Sequence, residues 1–174
     1  YVLSPLVRFK TMTGEPRVIE GMTVGVICNG TAKAVINDRA FELRPNSLFL
    51  LRGESKISSF RCTKACTGYF VNYSPSSLEA IKLDTSDLLS VDVIFSTKPC
   101  FEAKEEEVAT LHDIATAIRS ISGREGMLYD NKIMTSLFAS FYYAVASIIN
   151  QSAVAETQRL DTSRGDELMR QFIA

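Results

Sequence analysis

The sequence holds few side chains that bind catalytic metal ions or act as general bases. Its single histidine, His112, lies beside Leu111 in a predicted helix, where a histidine on the flank of a helix is the ordinary interpretation. Small β-barrels that bind a catalytic metal usually supply two or three histidines and a carboxylate from their strands. None of the predicted strands contains a histidine. The sequence therefore predicts no catalytic residue and no metal site.

The cysteines are the other candidate nucleophiles and metal ligands. They are Cys28, Cys62, Cys66 and Cys100. Three of them lie in apolar or strand-like stretches, where a reduced thiol packs as a small hydrophobic group. Cys62 and Cys66 form a C-x-x-x-C pair that could meet on a hairpin, so a disulfide or metal pair is the alternative. We favour reduced, structural thiols in a cytoplasmic protein.

Motifs for nucleophilic catalysis and for nucleotide binding are absent from the sequence. There is no G-x-S-x-G, no G-x-G-x-x-G and no Walker loop. Residues 52–55, "RGES", contain the Gly-Glu of a cyclic-nucleotide cassette, but no Arg-Ala-Ala phrase follows. The glutamates within 102–107 are interpreted as a solvated helix start, where the helix dipole favours negative charge. No cofactor is predicted.

Composition limits the classes of partner. Lys plus Arg is 19 and Asp plus Glu is 20, for a net charge of −1. A nucleic-acid clamp needs a basic face, so this chain itself is not expected to bind DNA. No run of 18 apolar residues occurs, and the first residues lack the apolar core of a signal peptide. We therefore expect no membrane span.

The first 74 residues have a sequence pattern typical of β-structure. Short runs rich in β-branched and aromatic residues alternate with turn residues every 8 to 12 positions, which is typical of an all-β sandwich or barrel. The predicted strands lie within 23–30, 32–37, 37–43, 47–51, 56–62 and 67–73. Period-two alternation puts Gly68, Phe70 and Asn72 on one face, and Gly25, Ile27 and Asn29 on one face. An inward asparagine beside an aromatic ring and a glycine would make a polar pocket, and a solid core is the alternative.

Helical periodicity begins after this region. Residues 74–82 predict a short helix, because Ser74 or Ser76 suits its cap and Pro75 its first turn. Longer helices are predicted from Glu102 to about Ser122 and over 128–151, followed by a linker or frayed helix end over 151–161. Ser163 and Asp166 then fit the capping box of a last helix, which has no stop signal before residue 174.

The helix predicted over 128–151 is apolar on two adjacent faces. Such a helix is covered from two directions, either by its own barrel and a second subunit or wholly within its own domain. For the first alternative, the predicted dimer interface consists of Met134, Leu137, Phe138, Phe141 and Val145.

Two stretches resemble the N-terminal sensor domain of AraC-type transcriptional regulators. They are "VGVICNGTAKAVINDRAFELRPNSLFLLRGESKISSF" (24–60) and "GYFVNYSPSSLEAI" (68–81). The likeness lies in Phe41 to Leu51, similar to the family phrase F-x-L-x-P-x-S/G-L-F-L-L, and in Tyr69 to Pro75. The ending "ELMRQFIA" also resembles the family's helix before its first helix-turn-helix.

The resemblance implies an α+β fold: a cupin-like jelly-roll β-barrel followed by a helical dimerisation subdomain. By that likeness, 1–75 is the barrel sensor, 76–160 the helical dimerisation region and 161–174 the start of a linker helix. The linker helix would lead to a DNA-binding domain that is absent from this chain. The implied partners are a second copy of the chain, an unknown small-molecule effector, and DNA through the absent domain.

The resemblance also implies an effector pocket inside the barrel, partly closed by an N-terminal arm. Matched by position, it would use Asn29, Gly68 and Phe70, with Arg8 or Phe9 from the arm. Sugar-sensing relatives have an arginine, a histidine and a tryptophan at the first three places, so the resemblance disfavours a sugar effector. A cupin-type isomerase or dioxygenase is the alternative function, which the scarcity of histidine disfavours.

Overall fold

The computed structural model of the chain describes residues 2–5, 13–18, 20–81, 98–122 and 130–173. Nine strands and three helices lie in these ranges. The strands are β1 (Val2–Pro5), β2 (Thr13–Val18), β3 (Met22–Asn29), β4 (Ala32–Ile36), β5 (Arg39–Leu43), β6 (Ser47–Arg52), β7 (Lys56–Cys62), β8 (Thr67–Tyr73) and β9 (Cys100–Glu102). The helices are α1 (Pro75–Ile81), α2 (Glu105–Ser122) and α3 (Asp130–Ile173).

The strands form two antiparallel sheets. One has the order β1-β8-β3-β6-β9 and the other the order β2-β7-β4-β5. The α+β class is therefore confirmed. The closed barrel is wrong for the described strands, because none of them pairs with both sheets. The two sheets are held together by side chains that pack between them, as in a sandwich, rather than by a continuous ladder of hydrogen bonds.

The edges of the sheets carry the strands that the sequence pattern misses. β1 and β2 contain Pro5 and Pro16, and each is an edge strand, where the lost N–H of a proline costs least. β9 is only three residues long and pairs with β6 through Cys100 and Phe49. Its pairing adds a strand from the 76–160 segment to the five-stranded sheet.

The hairpin between β4 and β5 turns at two residues in the left-handed region. Asn37 has φ 49° and Asp38 has φ 62°. Two consecutive positive φ angles are typical of a type I′ turn, which matches the twist of the flanking strands. The Asn37 side chain also accepts a hydrogen bond from the Lys56 amide at 2.8 Å, which ties this hairpin to β7.

The five-stranded sheet separates two apolar cores. The inter-sheet core lies between the sheets, and its buried members are Ile27, Ala32, Ala34, Ile36, Leu43, Phe49, Leu51, Ile57, Phe60 and Cys66. The sheet–helix core lies between the other face of this sheet and helices α2 and α3. Strand alternation explains the division, because successive side chains of β3, β6 and β8 point to opposite faces.

Helix α3 extends over 44 residues. The predicted break over 151–161 and the new helix start at Ser163 are therefore wrong. Residues 151–161 contain no glycine or proline and several good helix formers, so nothing in them stops the helix. The predicted short helix after Ser74 and the helix ending at Ser122 are confirmed, as α1 and α2.

One segment of α3, Asp130–Ser152, is long and apolar enough by composition to cross a membrane, with a mean hydropathy of 1.4. Core helices of soluble proteins meet the same criterion. Phe138, Phe141 and Val145 of this segment are buried in the sheet–helix core, which accounts for its apolar character.

Candidate effector site

The inner face of the five-stranded sheet, which points to the other sheet, is where the predicted pocket falls. Strand pairing aligns one row of residues across it: Ser4, Phe70, Gly25, Phe49 and Cys100. The Phe49 ring lies over Gly25, so that an added Cβ at this glycine would overlap it. Phe49 also packs on Phe60, with ring centroids 5.4 Å apart. Aromatic rings therefore fill the middle of the space between the sheets.

The next row of the same face has two polar residues, Thr23 and Asn72, between Val2 and Leu51. Thr23 and Asn72 are cross-strand partners, and the Asn72 amide donates a hydrogen bond to the Thr23 hydroxyl at 2.8 Å. Thr23 is 1% exposed, and Ser4 is 3% exposed. We call Ser4, Thr23 and Asn72 the polar corner. Its neutral hydroxyl and amide groups can exchange hydrogen bonds with an uncharged polar group of a ligand.

The structure separates the predicted pocket residues. Gly68 and Phe70 lie on the inner face of β8, and Phe70 packs against the inter-sheet core. Asn29 is exposed at the end of β3 and donates a hydrogen bond to the Thr67 hydroxyl at 3.1 Å. A register shift between Ile27 and Asn29 breaks the alternation that would carry Asn29 inward. Phe9 and Arg8 lie outside the described residues.

Gly68 has a clear structural reason to be a glycine. An added Cβ at this position would overlap the carbonyl oxygen of Val26 on the neighbouring strand. The position therefore allows β8 and β3 to approach closely beside the register shift. Whether Gly68 also contacts an effector stays a prediction.

Two members of the polar corner, Ser4 and Thr23, are not among the site residues predicted from the sequence. Ser4 lies on β1, a strand that the sequence pattern does not reveal. Thr23 precedes Gly25 by two residues, so extending the alternation of β3 by one step would have found it. Asn72, the third member, is on the predicted face.

Strand β8 contacts both cores. On the face opposite Phe70 and Asn72, Tyr73 donates a hydrogen bond from its hydroxyl to the carbonyl oxygen of Phe138 in α3, at 2.8 Å. Its ring packs edge-on against Phe138 and Tyr142, with centroids 5.9 Å and 6.3 Å apart. A displacement of β8 on the inner face is thus connected through one strand to the backbone of α3.

The predicted interface residues fall into two groups. Phe138, Phe141 and Val145 are at most 2% exposed within the single chain, so they have no side-chain surface left for a partner. They belong to the sheet–helix core, which is the alternative that the apolar pattern leaves open. Met134 and Leu137 are only partly buried at its border. Tyr143 on the same helix is 47% exposed, although it was not predicted at an interface.

The four cysteines all lie in the described residues and none is in a disulfide bond. Burial raises the pKa of Cys100 from 9.0 to about 12. Burial is also the larger cause of the raised pKa of Cys28, and the neighbouring Cys66 thiol adds to it. Over the part of the chain that the structure describes, no group of three His, Cys, Asp or Glu side chains could hold a metal ion.

Comparison with solved structures relates this arrangement of sheets and helices to transcription regulators. The AraC-like transcriptional activator CuxR matches with a TM-score of 0.50 and 14% identity, over 76% of this chain and 43% of that one. The fold of this chain is similar to that of the matched part of this AraC-like activator. No protein-family model and no curated protein matches the sequence.

Structures of ToxT from Vibrio cholerae are also similar. ToxT of O395 bound to (E)-4-(8-methylnaphthalen-1-yl)but-3-enoic acid matches at 15% identity and TM-score 0.43, over 85% of this chain and 56% of that one. ToxT of strain SCE256 bound to an unsaturated fatty acid matches at 9% identity and TM-score 0.49, over 87% and 55%. This chain therefore spans about half the length of the regulators it resembles.

Proposed function

We propose that this chain is the effector-binding and dimerisation part of an AraC-type DNA-binding transcription regulator. The observation that carries the proposal is the AraC-like fold, in which one sheet has an inner face toward a second sheet and an outer face against two helices. In finer terms, the sheets are a cupin-like jelly roll that acts as the sensor. Residues 1–75 form the sensor, 76–160 the helical dimerisation region and 161–174 the start of a linker to a DNA-binding domain.

The effector binds between the sheets, beside the polar corner. Gly68 and Phe70 supply one wall, Thr23 and Asn72 supply hydrogen bonds, and Phe9 closes the site from the N-terminal arm. Asn29, exposed at the end of β3 and bonded to Thr67, does not take part in this site. The site binds its ligand without a catalytic group, a metal or a cofactor.

The signal passes from the effector to α3 through β8. Phe70 and Asn72 face the effector, while Tyr73 on the opposite face is bonded to Phe138 of α3. An effector can shift the arrangement of α3 only by binding one arrangement more tightly than another. A substitution that breaks the Tyr73 bond should therefore weaken the response more than the binding.

A homodimer forms through α3. Met134 and Leu137, partly buried at the border of the sheet–helix core, and Tyr143, exposed on the face away from it, keep side-chain surface for a second copy, while Phe138, Phe141 and Val145 support the helix from its own core. DNA is bound by the C-terminal domain beyond this chain, and the protein acts in the cytoplasm without contacting a membrane.

A reporter fusion tests the proposal. The chain is fused to a DNA-binding domain that represses its reporter only as a dimer. We expect repression by the wild-type fusion, loss of repression with Leu137→Glu, and retained repression with Lys132→Glu, a charge change five residues earlier on α3. A wild-type fusion that fails to repress, although it is folded and expressed, would overturn the dimerisation part.

Ligand and metal measurements on the purified chain separate the sensor from the alternative enzyme. We expect a thermal-shift screen of small metabolites to find a stabilising compound whose effect Asn72→Ala removes. A stoichiometric metal ion in elemental analysis would instead favour a cupin-type isomerase or dioxygenase.

A further inference from the structure

The phenol of Tyr69 is buried in the sheet–helix core without a hydrogen bond. Tyr69 is 3% exposed, and its hydroxyl finds no hydrogen-bond partner in the structure as far as it is described. Buried hydroxyls are nearly always paired, because leaving one unpaired costs the free energy of removing it from water. Tyr73, four residues along on the same face of β8, shows the ordinary case with its bond to Phe138.

Helix α2 brings two donor side chains to this phenol. The His112 ring lies 6.1 Å from the Tyr69 ring, centroid to centroid. Arg119 follows seven residues later, which is two turns along the same face of the helix. Its charge is near enough to lower the pKa of Tyr69, against the larger effect of burial, which raises it together with the Cys28 thiol. The ring of Phe141 closes the α3 side, 6.2 Å away.

We propose that Tyr69, His112 and Arg119 form a binding site for a small carboxylate between β8 and α2. The hydroxyl, the imidazole and the guanidinium are all able to donate hydrogen bonds, and a guanidinium beside a buried donor suits the planar carboxylate group. A carboxylate completes the hydrogen bond that Tyr69 lacks. The site lies on the face of the sheet opposite the proposed effector pocket, so it goes beyond the proposed function.

A monocarboxylate fits better than a phosphate dianion. Among the residues that the structure describes, Arg119 is the one cationic side chain that acts on the Tyr69 hydroxyl, and apart from His112 and Cys28 the core around it is apolar. A second negative charge in such surroundings would lack a partner, and the cost of removing it from water would not be offset. His112 and Arg119 are themselves exposed, so they can move aside to admit the anion.

Calorimetric and thermal titrations of the whole chain with sodium acetate test the site, with sodium chloride at equal ionic strength as the reference. Sodium octanoate and inorganic phosphate are parallel arms. We expect acetate or octanoate to raise the Tm, and Tyr69→Phe and Arg119→Gln each to weaken the affinity by roughly tenfold or more, since each removes a hydrogen bond to a charged group. Arg61→Gln is the matched control, because its wild-type side chain is exposed and is part of neither the proposed carboxylate site nor the proposed dimer contact.

The outcomes separate the anion from its alternatives. If no carboxylate raises the Tm beyond the chloride reference, the hydroxyl is satisfied by water only and the proposal is overturned. Equal responses of wild type and Tyr69→Phe would also overturn it, and so would a stronger response to phosphate than to the carboxylates. None of these results bears on dimer formation by α3, which the reporter fusion measures.

Discussion

The two cores on either side of the five-stranded sheet differ in kind. The sheet–helix core is built from large aliphatic and aromatic side chains and is fixed by the bond from Tyr73 to Phe138. The inter-sheet core includes Ala32 and Ala34, a ring stacked over a glycine, and a polar corner at its edge. The comparison teaches that the helices pack on one face of the sheet through a large apolar core, while the other face has neutral polar groups beside a core with smaller side chains.

The largest expected effect comes from emptying the sheet–helix core. Phe141→Ala removes a ring that is 0% exposed, so we expect a loss of about 3–5 kcal/mol in the free energy of unfolding, from lost burial and the cavity left behind. Chemical denaturation measures it. Tyr143→Ala is the matched control, since its ring is 47% exposed, and should change stability by about 0.5 kcal/mol or less at concentrations where the chain is monomeric. Equal losses from the two changes would contradict the account of α3.

A methyl group added to the inter-sheet core should cost less. In Gly25→Ala the new Cβ overlaps the fully buried Phe49 ring, and we expect a loss of about 1–3 kcal/mol from the strain of overpacking. Gly53→Ala is the control, because the nearest atom to its new Cβ is 3.9 Å away. Adding Phe49→Leu to Gly25→Ala should restore part of the lost stability. If the double variant loses as much stability as the sum of the losses of the two single variants, the Phe49 ring is not what opposes the new Cβ.

Removing the hydroxyl should change stability differently at two tyrosines of β8, Tyr73 and Tyr69. Tyr73→Phe deletes a buried hydrogen bond and should lower the free energy of unfolding by about 0.5–1.5 kcal/mol. Tyr69→Phe deletes a hydroxyl without a partner, so in carboxylate-free buffer its stability should stay the same or rise by about 1 kcal/mol. Chemical denaturation curves of both variants measure these changes. A larger loss of stability for Tyr69→Phe than for Tyr73→Phe would contradict the assignment of the Tyr69 hydroxyl as the one without a hydrogen bond.

The smallest expected effect on stability comes from Cys100, whose thiol lies where β9 borders the inter-sheet core. The pKa of Cys100 is raised from 9.0 to about 12, so at about pH 8 its thiolate fraction falls roughly a thousandfold below that of an ordinary cysteine. Because the folded pKa is the higher one, the neutral thiol stabilises the fold below the ordinary pKa, and this contribution is lost as the pH rises toward 12. Iodoacetamide labelling read by mass spectrometry should modify Cys100 far more slowly in the native than in the unfolded chain. Equal rates would show that it is not buried.

The central strands could be predicted because their signals are local. Turn residues such as Asn37 and Asp38 and the alternation of β8 specify β4 to β8 within a few residues. The edge strands β1, β2 and β9 could not, since each is short or interrupted by proline and is defined by the strand beside it. The break predicted near residue 155 fails for a related reason, because polar composition alone does not end a helix when the helix formers continue.

Less of the candidate site could be predicted. Asn29 was expected inward by alternation, but a register shift that depends on β8 turns it outward. The two-sided apolar stripe of α3 does not say which side meets the sheet, and only the packing of Phe141 and Val145 identifies it. The missing hydrogen bond of the Tyr69 hydroxyl can be recognised only from the three-dimensional structure, because the sequence does not show which groups surround it.

The claim that α3 contributes Phe141 to the chain's own core and Leu137, at the border of that core, to a contact with a second copy is tested most directly by sedimentation equilibrium. The variants are Leu137→Glu and Phe141→Glu, with circular dichroism to report folding. We expect the wild type to be a dimer at tens of micromolar, Leu137→Glu to be a folded monomer, and Phe141→Glu to be unfolded. A wild type that sediments as a monomer, or a Leu137→Glu variant that remains a dimer, would contradict the account.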